Sequence, residues 1–256
     1  MSTLVDILAM QDTGDDVFVT GVFDSANPHI YGGQLLAQAL MAACTTVSVS
    51  RAAHSMHAYF VAAADCSTPV EIRVTRERDG RSVSARKMKV VQGSRLLMNA
   101  LASFHTPEGG FEAQSQSFPG TNAPGDTFEA YSHPVSSDIQ IVDSAPELQL
   151  AHPPRSWSRV LPELGSDQHL QACAMTYASD FYTGLVQFPE FPDDAMVTSI
   201  DHAIWFHRPF NLNNWHLMDW TGHSLSSGRG HYSGNFYDES GRMVASASQE
   251  MVVRRA

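Results

Sequence analysis

Three features of the 256-residue sequence predict an α+β fold laid out twice along the chain. Each half holds one segment whose apolar residues recur at helical spacing, and each such segment is followed by short apolar runs of period two separated by turn residues. The halves also match weakly: Ala58-Tyr59-Phe60 lies on Ile204-Trp205-Phe206, and Gly93-Ser94-Arg95-Leu96-Leu97 on Gly241-Arg242-Met243-Val244 with small shifts. A single twisted sheet curled around one helix covers the apolar face of both, so two antiparallel sheets, each wrapped around a central helix, are expected.

Along the chain, Val17 to Val22 reads as a strand. Gly32 and Gly33 then open a helix whose Leu36, Ala39, Leu40 and Ala43 share one face. Strands follow at Ser55 to Val61, Val70 to Val74, Val83 to Val91 and Leu96 to Phe104, with turns at Asp79-Gly80 and Gln92-Gly93. Thr106 to about Ser137 is rich in Gly, Pro, Ser, Gln and Asn without a sustained period and reads as a linker. In the second half, Asp138 to Val142 and Ser156 to Leu161 look extended. Ser166 is a plausible cap for a helical stripe of Leu170, Ala174, Tyr177, Phe181 and Leu185. Strands resume at Ala195 to Arg208, Leu217 to Thr221, Gly228 to Tyr237 and Met243 to Val253.

A formal net charge of -11 argues against nucleic acid as a partner, since phosphate binding needs a basic face. Half of the 16 Lys and Arg residues nevertheless fall in one stretch, Arg73, Arg76, Arg78, Arg81, Arg86, Lys87, Lys89 and Arg95, which is either a local anion site or a solvated charged hairpin. No apolar run is long enough for a membrane span, and Met1 to Asp16 lacks the cationic start of a secretory signal, so a cytoplasmic home is expected. Cys44, Cys66 and Cys173 are odd in number and widely separated, as for buried thiols in a reducing compartment; no metal or cofactor is expected.

Several ordered blocks resemble the type II acyl-CoA thioesterases. They are Tyr31-Gly32-Gly33-Gln34-Leu35-Leu36-Ala37-Gln38-Ala39-Leu40, His54-Ser55-Met56-His57-Ala58-Tyr59-Phe60, Arg78-Asp79-Gly80-Arg81-Ser82-Val83-Ser84-Ala85-Arg86, Tyr177-Ala178-Ser179-Asp180, Ser199 through Phe210, and Val244-Ala245-Ser246-Ala247-Ser248-Gln249-Glu250. The resemblance implies a double hotdog fold, with hotdog domains at 1–110 and 138–256 joined by a linker at 111–137, and hydrolysis of fatty acyl-CoA. It implies that Asp180, Ser199 and Gln249 hold the attacking water. Whole chains are expected to associate as homo-oligomers. Val61-Ala62-Ala63-Ala64 stands where the family often has Arg-Pro-Gly, so that loop lacks a cation for CoA.

Read alone, the same residues leave choices open. Asp180 shares part of the helical stripe, where desolvation would raise a carboxylate and fit it to polarise water; the alternative is a solvent-facing or capping Asp. Alternation places Gln249 with Ala245, Ala247 and Met251 on a core face, where its amide either satisfies a backbone group or orients a water or carbonyl. Ser199 is either a catalytic hydroxyl or an ordinary strand-end one. Gly32 and Gly33 offer backbone donors to a developing oxyanion, or simply a turn before a helix. Lys87 and Lys89 alternate onto one strand face as candidate contacts for the CoA phosphates.

Rival chemistries are weaker. Alternation sends His202 to the opposite face from Asp201 and His207, which disfavours a metal cluster and suggests structural histidines. No Gly-x-Ser-x-Gly elbow is present, and Gly228-Arg229-Gly230 lacks the context of a dinucleotide fingerprint. Trp205, Phe206 and Phe210 are expected to pack the core. A hotdog-type enoyl-CoA hydratase and a non-catalytic acyl-CoA binding protein are the two alternatives.

Overall fold

The computed structural model describes residues 3–22, 27–125, 131–133, 136–143, 154–191 and 194–255. In chain order its elements are α1 (Leu4–Leu8), β1 (Met10–Asp12), β2 (Val17–Thr20), α2 (Gly32–Thr45), β3 (Ala52–Phe60), β4 (Glu71–Asp79), β5 (Val83–Gln92) and β6 (Arg95–His105). There follow β7 (Tyr131–His133), β8 (Ser136–Asp143), β9 (Arg155–Val160), α3 (Gln168–Ala178), β10 (Ala195–Ser199), β11 (Asp201–Phe206), β12 (His216–Ser226), β13 (Arg229–Asp238) and β14 (Met243–Arg255). They group into two compact units, Met1–Gly110 with Asp167–Ala178, and Phe111–Ser166 with Ser179–Ala256. No helix among the described residues is long and apolar enough to cross a membrane.

The first unit is an antiparallel sheet ordered β1-β2-β4-β5-β6-β3. The predicted stripe of α2 is buried as expected, with Leu36, Ala39, Leu40 and Ala43 fully inside. The helix has no side-chain cap, and Gly33 lies so close to α3 that a Cβ there would meet the Tyr177 carbonyl oxygen at 2.6 Å. Only glycine lets the start of α2 approach the last turn of α3. Tyr31 donates its hydroxyl to that same carbonyl at 2.9 Å, satisfying one of the acceptors that a helix end leaves open.

Sequence periodicity missed α1 and β1, because five and three residues are too few to show a period. A local signal was present: Thr3 and Asp6 form a capping box. The basic stretch divides by burial. Arg86 is 1% exposed and gives its donors to Thr46, to the carbonyls of Arg78 and Ala85, and to Asp79. Arg73 pairs with Glu71, and Arg76 with Asp16.

The second unit is ordered β11-β14-β13-β12-β9-β8-β7, with β10 also paired to β14. Its core includes Val142, Trp157, Trp215, Leu217 and Tyr237. Residues 111–125 of the expected linker hold no helix or strand, and Phe118 packs on Trp157 and Tyr237. The remainder of the expected linker contains β7 and the start of β8, while residues 126–130 and 134–135 lie outside the described residues.

Two expected elements are corrected. The second helix stops at Ala178 instead of running to Leu185, and Leu185 falls in a separate 3₁₀ turn, Gly184–Gln187. Apolar spacing continues through both because both bury apolar side chains. The cap is Asp167, not Ser166, since the Asp167 carboxylate accepts from the backbone of His169 at 2.9 Å. The strand expected from Ala195 to Arg208 is broken at Ile200 into β10 and β11.

Candidate active site

The break at Ile200 builds the site. Ser199 stands opposite Met251, whereas Ala203 stands opposite Ser248, so four steps along one strand cover three along the other. This is a one-residue bulge, and it reverses the alternation of faces. It is pinned by backbone and side chain together: Ile200 N–H donates to the Glu250 carbonyl at 2.9 Å, and the Asp201 carboxylate accepts from Glu250 N–H at 2.8 Å. Ser199 and His202, three residues apart, would face opposite ways on a regular strand. Both instead reach Gln249.

Gln249 lies on the buried face of β14 and is 1% exposed, as alternation predicts. Its amide nitrogen donates to Asp180 Oδ1 at 2.9 Å and to Ser199 Oγ at 2.8 Å. The amide oxygen bonds the Nδ1 of His202, and His202 Nε2 lies 2.9 Å from Ser179 Oγ. The three residues singled out as catalytic, spread over 70 positions (180–249), therefore share one hydrogen-bonded group.

Asp180 does not sit on a helix. It follows α3 in the turn Ser179–Asp180 and is half-buried. The chain after it is fixed onto β12 and β13: Thr183 caps the 3₁₀ turn, and Gln187 bridges to the backbone of β12 through Trp220 O at 2.6 Å and Gly222 N at 3.2 Å. A Cβ at Gly184 would lie 2.8 Å from the backbone of Thr221 and 2.9 Å from that of Gly222. Tyr232, opposite Gln249 in the ladder, is fully buried. Burial above all, and then the negative charge of Asp180, push its phenol well above the ordinary range, so it remains a neutral hydroxyl.

His202 is the residue that sequence reasoning left out. Alternation puts it on the face opposite Asp201 and His207, where the structure also places it, 2% exposed and bonded to Gln249. His207 lies on the other face with Ser246 Oγ at 2.9 Å, its pKa lowered by burial and by Arg208. Gly32 and Gly33 occupy the first turn of α2, where the backbone N–H groups of Gln34 and Leu35 donate to the Tyr31 carbonyl at 3.1 and 3.3 Å. Lys87 and Lys89 lie exposed on β5, beside Leu101 and Asn99 of β6.

Family models recognise both halves of the chain: "Acyl-CoA thioesterase" matches residues 124–252 and "Acyl-CoA thioesterase N-terminal domain" matches residues 19–105. Acyl-CoA thioesterase 2 of Haemophilus influenzae is 31% identical over 99% of this chain and 98% of its own. The chain belongs to the acyl-CoA thioesterase family. The crystal structure of acyl-CoA thioesterase II from Mycobacterium marinum superposes with a TM-score of 0.83 at 26% identity, covering 98% of this chain and 97% of that one. A protein from Alicyclobacillus acidocaldarius described as having a hot dog fold superposes at 0.81 with 18% identity, over 98% of this chain and 97% of that one, a likeness of fold alone. The α+β architecture is thus the double hotdog of the type II thioesterases, and the chain is a thioester hydrolase of that family.

Proposed function

We propose that this protein hydrolyses fatty acyl-CoA to free fatty acid and CoA, with the attacking water held by Asp180, Ser199 and Gln249. The reading rests on one observation above the others: the Gln249 amide donates at once to Asp180 and Ser199. A carboxylate, a hydroxyl and an amide joined in this way form an acceptor-rich group suited to water. The Asp180 carboxylate takes a proton from the water as its oxygen attacks the thioester carbonyl carbon. Ser199, accepting from the amide through its oxygen, keeps its own proton to donate. The C–S bond then breaks, and CoA departs as a thiolate that is reprotonated from Asp180. A thiol of pKa about 8.5 is a competent leaving group, so no separate strong acid is required.

The amides at the start of α2, at Gly32 and Gly33, are the proposed donors to the carbonyl oxygen as it gains charge. Lys87 and Lys89 are the proposed contacts for the CoA phosphates; this is supported by their exposure beside cations already neutralised by Glu71, Asp16 and Asp79. We further propose hotdog domains at 1–110 and 138–256 joined through 111–137, a cytoplasmic location, and assembly as a homo-oligomer. Tyr59 (63% exposed) and Leu101 (54%) on the outer face of the first sheet support the assembly. Incubation with a panel of acyl-CoA substrates in ¹⁸O-water tests the reaction. Free thiol should appear with one ¹⁸O in each fatty acid, whereas ligand binding without thiol release, or hydration of an enoyl-CoA in its place, would refute it.

A further inference from the structure

We propose that His202 is a positioning residue for the hydrolytic reaction, holding the Gln249 amide in the orientation that turns its NH₂ toward Asp180 and Ser199. The inference rests on the preceding reading of those three residues. A buried amide can sit either way round, and the direction matters here. Reversed, its oxygen would oppose the Asp180 carboxylate, lone pair against lone pair, and Ser199 would lose its donor.

The network runs in one sense only. With both amide N–H groups spent on Asp180 Oδ1 (2.9 Å) and Ser199 Oγ (2.8 Å), the amide oxygen must accept, and the atom bonded to it is His202 Nδ1. Nδ1 therefore carries the proton. In a neutral imidazole Nε2 is then an acceptor, and Ser179 Oγ, 2.9 Å away and fully buried, supplies the hydroxyl proton. The order Ser179, His202, Gln249, then Asp180 and Ser199 leaves no donor facing a donor. His202 and Gln249 are 2% and 1% exposed, so water does not readily substitute for either bond. The first unit offers an internal comparison: Met56 lies opposite Ala102 just past a similar register shift between Ala53 and Ser55. Where the amide is missing, the imidazole is missing too.

Kinetics of His202→Ala, His202→Asn, Gln249→Ala and the double variant His202→Ala/Gln249→Ala test this, with circular dichroism confirming folding. His202→Ala should lower kcat by about 10- to 100-fold with KM within about twofold, because only an interaction shaping the transition state is lost. His202→Asn, which keeps a side-chain N–H near Nδ1, should recover most of that loss. The double variant should be no slower than Gln249→Ala, since His202 acts through the amide. Wild-type kcat in His202→Ala, or losses that multiply in the double variant, would overturn the proposal while leaving the hydrolytic group intact; wild-type turnover in Gln249→Ala would remove that group itself. Should His202→Ala not fold, Ser179→Ala decides: kcat should fall several-fold in the His202 protein and not in the His202→Asn background, and an equal loss in both would contradict the role.

Discussion

Ala102 in the first unit and Gln249 in the second occupy matching register positions beside an interrupted strand. Ala102 faces Met56 just beyond the shift between Ala53 and Ser55, and Gln249 follows the Ser248–Ala203 pair just beyond the break at Ile200. The same match sets Ala53 against Ser199. The first half has therefore kept the geometry of the bulge without the amide and hydroxyl. One catalytic site per chain is expected, and titration with a tight-binding, nonhydrolysable acyl-CoA analogue should saturate at one equivalent. Two equivalent sites would show that the alanines do not disable the first half.

The loop carrying Asp180 should be sensitive to one methyl group. Gly184→Ala places a Cβ 2.8 Å from the backbone of Thr221, which cannot move without disturbing β12. The overpacking should cost about 1–3 kcal/mol. A fall in Tm of several degrees, together with a drop in kcat as Asp180 is displaced, is the expected result. An unchanged Tm would show that the loop is not seated as described.

Arg86 and Asp79 predict an acid-sensitive component of stability. Hydrogen bonds from Ser84 and then Arg86 hold the Asp79 carboxyl below its ordinary range. A carboxylate whose folded pKa lies below its unfolded value stabilises fully above about pH 4 and loses that contribution as the pH falls through the folded value. Asp79→Asn should lower Tm at neutral pH, because Arg86 is 1% exposed and loses its anion. The difference from wild type should shrink as the pH falls through the lowered folded value of Asp79. A gap that persists unchanged at low pH would place the stabilisation elsewhere.

Charge reversal at Lys87 and Lys89 should raise KM and make it less sensitive to salt, with kcat at saturation little changed. Their side chains are exposed, so stability should be nearly unaffected. Kinetics at low and high ionic strength check this. A KM that stays at the wild-type value at low salt would move the phosphate contacts to other residues.

How much the sequence disclosed depends on the regularity of each element. The α2 stripe and the alternation of β14, with Gln249 on its buried face, were legible because both keep their period over many residues. Ser199 is ambiguous in the sequence for a physical reason: the bulge at Ile200 exchanges the two faces partway along the run from Ala195 to Arg208. Spacing alone puts Asp180 on a helix because Phe181 and Leu185 continue the spacing of Leu170 and Tyr177 after the helix has ended. His202 reads as structural in the sequence because a histidine alternating with Ile204 and Phe206 resembles an ordinary core residue. Its shared face with Gln249 was the available clue, and the bond between them required coordinates.

In the proposed mechanism Asp180 takes the proton from the attacking water, and Asp180→Asn tests that step most directly, since the amide keeps the shape and removes the base. Thiol release from a saturating acyl-CoA should fall by about 10²- to 10⁴-fold, the usual weight of a general base, while KM and Tm stay near wild type. Wild-type turnover by the folded Asp180→Asn protein across a range of acyl chains would contradict the account.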